Sequence, residues 1–336
     1  MRALPAASFS LALILLASSV HAEKRTLLVS GIFADSSVVG PVARFITGDP
    51  ASSEYTATLL GYTLEGEWVK HRSPRSAFVL AADITPINAH TSNRIYVDGD
   101  RAHELEYEAA SYRVRAGLRL SPTARSITDI QVVGLLEEIE DIEDASVRSF
   151  WDGPFIGLDL SHTYKTFSSE NPLISSFEGI ALTGRIEAFT GPESWSRVTV
   201  SERAGIQFGN VHLRQSILGI TGKSLNIVNR AIIGGSWDVL GDTALYGFRY
   251  GEFRIARGIL SNVGADYSLP NNWRVGVRGS YLRSDVADVY GAAVNASKVW
   301  KTFGFNLGIG FPRHERGASD AVFYLAIIAP LFASPR

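Results

Sequence analysis

A histidine and a serine stand two residues apart in a polar stretch near residue 90. The run His90-Thr91-Ser92-Asn93 is followed by Glu104, twelve residues after the serine. On an extended chain His90 and Ser92 project from the same face, because alternate residues of a strand share a face. His90 could then take the serine proton, and Glu104 on a neighbouring strand could orient the imidazole. This spacing predicts acyl transfer by a lipid esterase, and the alternative is a plain polar loop.

The elements that would position such residues are strands, as the stretch from Phe303 to Phe311 indicates. Its odd positions are large and apolar, and its even positions are glycine or asparagine. Alternation with a period of two predicts a β-strand between two different environments. A soluble sandwich points Phe and Ile into its core, whereas a transmembrane barrel points bulky groups at lipid and small polar groups at the lumen. The stretch is therefore typical of a barrel strand.

The first 22 residues are typical of a secretory signal peptide. They contain one early arginine, an apolar run from Phe9 to Val20 and the small-x-small ending Val20-His21-Ala22. The run is too short and wrongly flanked for a membrane helix. No stretch of about 20 apolar residues follows, so a membrane location would require a closed sheet.

Composition excludes several classes of site and partner. The chain has no cysteine, so neither disulfides nor thiolate metal sites are available. A formal net charge of −2 argues against nucleic acid as a partner. We expect no cofactor and no bound metal.

Segments of about ten alternating residues recur along the chain and predict an all-β, transmembrane antiparallel β-barrel. Leu60 to Trp68 is interpreted as one such segment. Counting the segments gives about 14 strands, within a range of about 12 to 16. Residues 23–55 are predicted to form a periplasmic lead-in with a possible first strand. Residues 56–336 are predicted to form the barrel, with a long extracellular loop at 221–253.

An even number of strands places both chain ends in the periplasm. Alternation then puts four connections outside, at 89–103, 137–144, 221–253 and 312–320. Three short connections lie on the periplasmic side, where barrels of this type have short turns, at 209–210, 270–272 and 301–302.

Charged residues recur on the strand face opposite the bulky one. Arginines at 113, 115 and 119 would each cost about 2–4 kcal/mol if they faced lipid near the midplane, so we expect them to face a wet lumen. The predicted lumen charges are Arg113, Arg115, Arg119, Asp159, Lys165, Arg185, Glu187, Arg274 and Arg278. They could select ions in a pore, or they could form an interior network that plugs and stiffens the barrel.

Two segments of the second half carry a family resemblance. Residues 168–172, Ser-Ser-Glu-Asn-Pro, with Gly179 after them, look like a periplasmic Asp-Asn-Pro turn. Residues 245–251, Leu-Tyr-Gly-Phe-Arg-Tyr-Gly, follow the double glycine 234–235 and look like a long extracellular loop with an Arg-Gly-Phe tip. From about residue 157 to residue 332 the chain resembles the bacterial surface antigen superfamily of outer-membrane barrels. This superfamily includes barrel-assembly insertases, two-partner secretion pores and the barrels of patatin-like phospholipases.

The resemblance implies a loop inserted into the lumen, formed by Gly234, Gly235, Tyr246, Gly247, Phe248 and Arg249. In the family a loop arginine meets an aspartate on the second strand after the loop. Those positions correspond here to Tyr246 and Arg283, so we expect that ion pair to be missing unless Arg249 substitutes. The family's periplasmic polypeptide-transport modules are not expected.

The function that follows is that of a non-enzymatic barrel in a Gram-negative outer membrane, with a role in membrane biogenesis, translocation or passive conductance. The alternative is an outer-leaflet lipid esterase with Ser92, His90 and Glu104, since their spacing resembles outer-membrane phospholipase A and the lipid A deacylases. Expected partners are outer-membrane lipid, lipopolysaccharide and the barrel-assembly machinery during insertion. The sequence leaves the oligomeric state open.

Overall fold

The structure is a computed structural model, and it describes most of the chain after residue 25. The described residues are 26–35, 39–49, 52–60, 63–85, 96–97, 100–101, 108–140, 152–166, 178–226, 228–235, 243–300, 303–314, 317–318 and 320–333. The predicted signal peptide, residues 1–22, lies outside these ranges.

Long antiparallel strands make up most of the described residues. They are β1 Thr26–Asp35, β2 Val39–Asp49, β3 Ser53–Leu60, β4 Thr63–Ser73, β5 Ser76–Thr85, β6 Glu108–Thr123, β7 Ser126–Glu140, β8 Gly153–Lys165, β9 Gly179–Thr190, β10 Trp195–Phe208, β11 Val211–Lys223, β12 Arg257–Leu269, β13 Trp273–Ser284, β14 Asp288–Val299, β15 Gly304–His314 and β16 Val322–Ala333. Three short pieces complete the strands. Tyr96–Val97 pairs with Asp100–Arg101, Ala231–Ile233 pairs with Phe253–Ile255, and Gly317–Ala318 pairs with β15. Pro270–Asn272 forms a single 3-10 turn.

The pairing of the long strands runs in a circle. Each pairs antiparallel with its neighbours in this series, and β1 pairs with both β2 and β16. The β1–β16 register runs from Leu27↔Ala333 to Asp35↔Tyr324, with a shift between Leu28 and Val29. An all-β barrel is therefore the fold, as predicted. Within the described ranges, no helix is long and apolar enough to span a bilayer.

The sixteen long strands of the described residues lie within the expected range of 12 to 16, above its central value of about 14. β1 and β2 both lie within residues 23–55, which were predicted to form a lead-in with a possible first strand. The segment Leu60 to Trp68 is also not one strand but parts of β3 and β4, with Leu60 opposite Thr63. Gly40-Pro41 interrupts the alternation in β2, and only two residues separate β3 from β4. Both features hide a strand from a period-two pattern.

The outward face is apolar around the described wall. On β8, Ile156 and Leu158 each expose 59% of their surface, whereas Asp159 exposes 4%. On β15 the alternation that first indicated a barrel has the same sense, since Leu307 and Phe311 are exposed and Asn306 is buried. Outward apolar groups and inward polar groups are the arrangement that a lipid-embedded barrel requires.

The strand directions place the predicted outer connections at one end of the barrel and the predicted periplasmic turns at the other, although the longer connection 166–178 lies at the same end as these turns. The end that carries Thr26 and Ala333 also carries the turns at 209–210, 270–272 and 300–303. The connections 86–107, 141–152, 224–256 and 315–321 lie at the opposite end. The long loop starts slightly later than predicted, because β11 continues to Lys223.

Candidate functional site in the barrel interior

The segment 224–256 is here called the lumen loop, and its described residues, 224–226, 228–235 and 243–256, pack against the inner wall of the barrel. Ala231–Ile233 and Phe253–Ile255 pair as a short ribbon that forms the stem of the loop. The loop and the wall share one buried apolar cluster, formed by Ile233, Leu245, Phe248, Phe253 and Ile255 of the loop with Leu218, Ile220, Leu260, Leu282 and Val289 of β11 to β14. Burial of these side chains holds the loop inside, since each large apolar residue removed from water contributes about 1.5–3 kcal/mol.

The tip of the loop lies directly on the backbone of β14 and β15. A Cβ atom added to Gly310 would overlap Gly247 Cα, and one added to Gly291 would overlap the carbonyl oxygen of Tyr246. Two hydrogen bonds fix the tip in this position. The Tyr246 N–H donates to Ser280 Oγ at 2.9 Å, and Asn262 Nδ2 donates to the Ala244 carbonyl at 2.9 Å.

At the tip of the loop an arginine of β13 lies under an aromatic ring. The Arg278 guanidinium lies 6.0 Å from the centre of the Tyr246 ring, and its Nη2 donates to Asp266 Oδ1 at 2.7 Å. The expected counterpart, Arg283, does not face the loop, because the inward face of β13 carries the even-numbered residues and Arg283 is exposed. β13, the second long strand after the loop, therefore contacts Tyr246 through Arg278.

The two predicted loop glycines connect the stem to the tip. Gly234 and Gly235 have φ of 138° and 86°, a region that favours glycine. The Gly235 N–H donates to the Arg249 carbonyl at 3.0 Å, and its own carbonyl accepts from the Leu245 N–H at 3.0 Å. The double glycine therefore holds both sides of the tip segment together.

A buried acid and histidine attach the loop to β15. Glu252 Oε2 accepts from the Arg249 N–H at 2.9 Å, and Glu252 Oε1 lies 3.2 Å from His314 Nε2. The Phe248 ring meets the His314 ring edge-on, with 5.2 Å between their centres. Glu252 and His314 are both buried, so this contact is shielded from water.

A second attachment holds the start of the loop to β7 and β10. Glu137 Oε2 accepts from the side-chain amides of Asn226 and Asn229, at 2.9 and 3.1 Å. Arg197 Nη1 donates to the Asn229 carbonyl at 2.8 Å. The prediction that Glu137 begins an exposed acidic connection is wrong, because β7 continues to Glu140 and Glu137 is 1% exposed.

Ion pairs cover the inner wall from β4 to β10. Glu187 lies at the centre of one group and contacts the guanidinium groups of Arg113, Arg185 and Arg197, while Arg185 also pairs with Asp159. The Glu187 side chain is only 1% exposed. Since a buried carboxylate needs charged partners, these arginines compensate its loss of water.

Two further arginines of β6 each bridge two carboxylates. Arg115 Nη2 lies 2.8 Å from Glu65 Oε1 and 2.7 Å from Asp83 Oδ1. Arg119 lies 3.0 Å from Glu67 Oε2 and 2.8 Å from Asp129 Oδ1. These contacts neutralise positive charge that would otherwise line the lumen.

The structure places all of the predicted lumen charges on the inward face of their strands. Lys165 and Arg274 share the inward phase of the seven others, which are Arg113, Arg115, Arg119, Asp159, Arg185, Glu187 and Arg278. Sequence reasoning missed most of their partners, which are Glu65, Glu67, Asp83, Asp129, Arg197 and Asp266. Alternation could have shown that these side chains face the lumen. Which charges pair depends on the register between strands, and no single segment reveals that register.

The esterase candidates His90, Ser92 and Glu104 lie outside the described residues. Their role stays a prediction from the sequence. Among the residues that the structure does describe, no group of three or more His, Cys, Asp or Glu side chains could hold a metal ion.

No family model and no curated protein sequence matches the chain. Its fold resembles solved structures at low identity. BamA from Haemophilus ducreyi, lacking POTRA domains 1–3, matches 96% of this chain and 78% of its own with a TM-score of 0.64 and 10% identity. CdiB from Acinetobacter baumannii matches 92% of this chain with a TM-score of 0.57 and 12% identity, and CdiB from Escherichia coli matches 90% with 0.58 and 11%.

The chain spans 60% and 63% of the two CdiB chains. The likeness therefore concerns the barrel and shows the fold alone. The chain has the outer-membrane β-barrel fold found in BamA and CdiB.

Proposed function

We propose that this chain resides in a Gram-negative outer membrane and acts there in membrane biogenesis or polypeptide translocation, with the lumen loop as the part that moves. The observation that carries the proposal is the attachment of the loop to the inner wall. The tip contacts β13 to β15 through Ser280, Gly291 and Gly310, and the start contacts β7 through Glu137. A loop held at two places can open the interior only by leaving one of them.

Passive conductance of small ions receives less support from the interior. Selective pores present unpaired rings of charge to the permeating ion. Here Arg113, Arg115, Arg119, Arg185 and Arg278 all pair with carboxylates. The side chains of the loop add an apolar barrier beside this neutralised wall.

Complementation of a strain that lacks the gene tests the proposed function. The wild-type chain should restore the outer-membrane and secreted protein profiles. A double variant with Tyr246→Cys and Ser280→Cys should not restore these profiles once its disulfide has formed, because the loop tip is then tied to β13. Each single variant serves as a control. Unchanged profiles in the strain without the gene would contradict a role in biogenesis or translocation. Recovery of the chain in a soluble fraction would contradict the location.

A further inference from the structure

An open groove marks the outward face of strands β12 to β16. Its volume is about 700 Å³, which is in the range of small-molecule sites. Alanines at 265 and 296 stand where other outward positions carry larger side chains, and Tyr267, Val275, Leu307 and Phe323 rise around them. These four neighbours are exposed by 42–65%, so the groove opens away from the lumen.

A lysine lies at the end of the groove nearest the chain termini. Lys298 follows Ala296 by two residues and so shares its outward face. It is opposite Trp273 on β13 and Phe305 on β15. Its Nζ atom lies 4.9 Å from the Trp273 ring centre and 4.7 Å from that of Trp300.

Aromatic contacts fix the rings that flank this lysine. Trp300 stacks on Phe303 with 4.3 Å between ring centres, and Trp273 meets Phe305 edge-on at 5.6 Å. Tryptophans settle at the level of lipid head groups, and a lysine at this depth extends its ammonium group toward water. The lysine is thus held at the head-group level, directly beside an apolar groove.

We propose that this groove binds one glycerophospholipid of the periplasmic leaflet, with an acyl chain between Tyr267 and Leu307 and the head-group phosphate on Lys298. The charge is complementary, because an ammonium group is a donor for phosphate and gains strength where water is partly excluded. The groove beside the lysine is lined mostly by apolar side chains, which suit an acyl chain and give a free phosphate no contact. This inference rests on the proposed location in the outer membrane.

Native mass spectrometry of the purified full-length chain tests the site with two probes, dioleoylphosphatidylglycerol and dioleoylglycerol, which has the same chains without the phosphate. Lys298→Gln should lower phosphatidylglycerol occupancy about tenfold, the loss of one charge-assisted contact, and leave dioleoylglycerol unchanged. Ala296→Leu should fill the groove and lower the occupancy of both lipids.

Two matched controls test the specificity of these effects. Lys70→Gln removes an exposed lysine of β4 that lies toward the same end of the barrel, and Ala292→Leu enlarges an exposed alanine on the same face of β14. Both should bind as the wild type does.

Equal occupancy in all variants would overturn the site while leaving the membrane location intact. A dimer that Ala296→Leu dissociates would also overturn it, because a second copy would then cover the groove. Recovery of the chain in a soluble fraction would instead remove the location itself.

Discussion

Two sectors of the barrel wall cover their inward faces in different ways. In the sector from β11 to β15 the wall carries glycines and apolar residues beside the pair Arg278–Asp266 described above, and the lumen loop fills the space in front of them. In the sector from β4 to β10 the wall carries arginines and carboxylates that neutralise one another. The outward faces of both sectors are alike, with bulky apolar groups in alternation.

This difference predicts which sector of the barrel can change its conformation. An apolar interface between a loop and a wall is non-directional, so the loop tip can leave and return with few polar contacts to break. The polar contacts that hold the loop include Glu252 to His314 and the amides of Asn226 and Asn229 to Glu137. A buried ion pair tolerates no such separation, because removing one partner leaves an uncompensated charge in a medium of low dielectric constant. We therefore expect the ion-paired sector to be a rigid frame and the loop-filled sector to be the movable one.

Glu187→Gln should have the largest effect, because it removes the carboxylate that Arg113, Arg185 and Arg197 share. We expect a loss of about 3–5 kcal/mol in the free energy of unfolding, the range for breaking a buried pair on one side. Urea unfolding in detergent micelles, followed by tryptophan fluorescence, measures this loss.

Asp129→Asn is the matched control in the same sector. Arg119 keeps its contacts to Glu67, at 3.2 and 3.0 Å, and the Asp129 side chain is 18% exposed. The loss should be about 1 kcal/mol or less. Equal losses for the two variants would contradict the view that Glu187 is the centre of the frame.

Gly310→Val should release the loop and leave the frame intact. Its side chain would overlap Gly247, so the tip must leave the wall. Planar-bilayer recordings should show frequent conductance steps for this variant and few for the wild type. Gly134→Ala, whose Cβ meets nothing within 4 Å, should behave as the wild type does. Identical recordings from all three proteins would mean that the loop does not close the interior.

Ser280→Ala should loosen the loop tip to a smaller degree. It deletes the acceptor of the Tyr246 N–H, a contact that contributes about 1 kcal/mol. Hydrogen exchange should be faster at Tyr246 and unchanged in β8. Ser261→Ala is the control, because Ser261 lies on the outward face of β12. Faster exchange at Tyr246 in both variants would show that the effect is not specific to the tip.

Ser92→Ala should have no effect on function if the chain is not an esterase. Purified wild-type and variant proteins should both release no fatty acid from phospholipid or lipopolysaccharide, as measured by mass spectrometry. Acyl release by the wild type that disappears in the variant would establish the triad of Ser92, His90 and Glu104 instead.

Much of the barrel could be predicted from the sequence because alternation is a local signal. The phases of Arg113, Asp159 and Arg278 follow from their neighbours along one strand, and the two ends of the barrel follow from counting strands. The first strands were harder to assign, since Gly40-Pro41 weakens the alternation in β2 and the connection from β3 to β4 is short, so that residues 23–55 were expected to hold one possible strand and hold both β1 and β2.

The contacts of the site depend on distant segments and were harder to predict. The sequence placed Tyr246 in the loop and Arg283 at the corresponding position of β13, with no ion pair expected between them, whereas the contacts of Tyr246 on β13 are with Arg278 and Ser280. The choice depends on the depth to which the loop descends, and that depth depends on Gly291 and Gly310 of other strands. A single sequence does not reveal such a register between a loop and a wall.

Disulfide trapping tests most directly whether the loop lies inside the barrel against β13. The chain has no cysteine, so any crosslink arises from introduced residues. Under mild oxidation in isolated membranes, the pair Tyr246→Cys with Ser280→Cys should form a disulfide, seen as a reduction-sensitive change in gel mobility. The pair Tyr246→Cys with Ser201→Cys, on the inward face of β10, should not. A crosslink to Ser201→Cys that forms as readily as the one to Ser280→Cys, or no crosslink to either, would contradict the position of the loop.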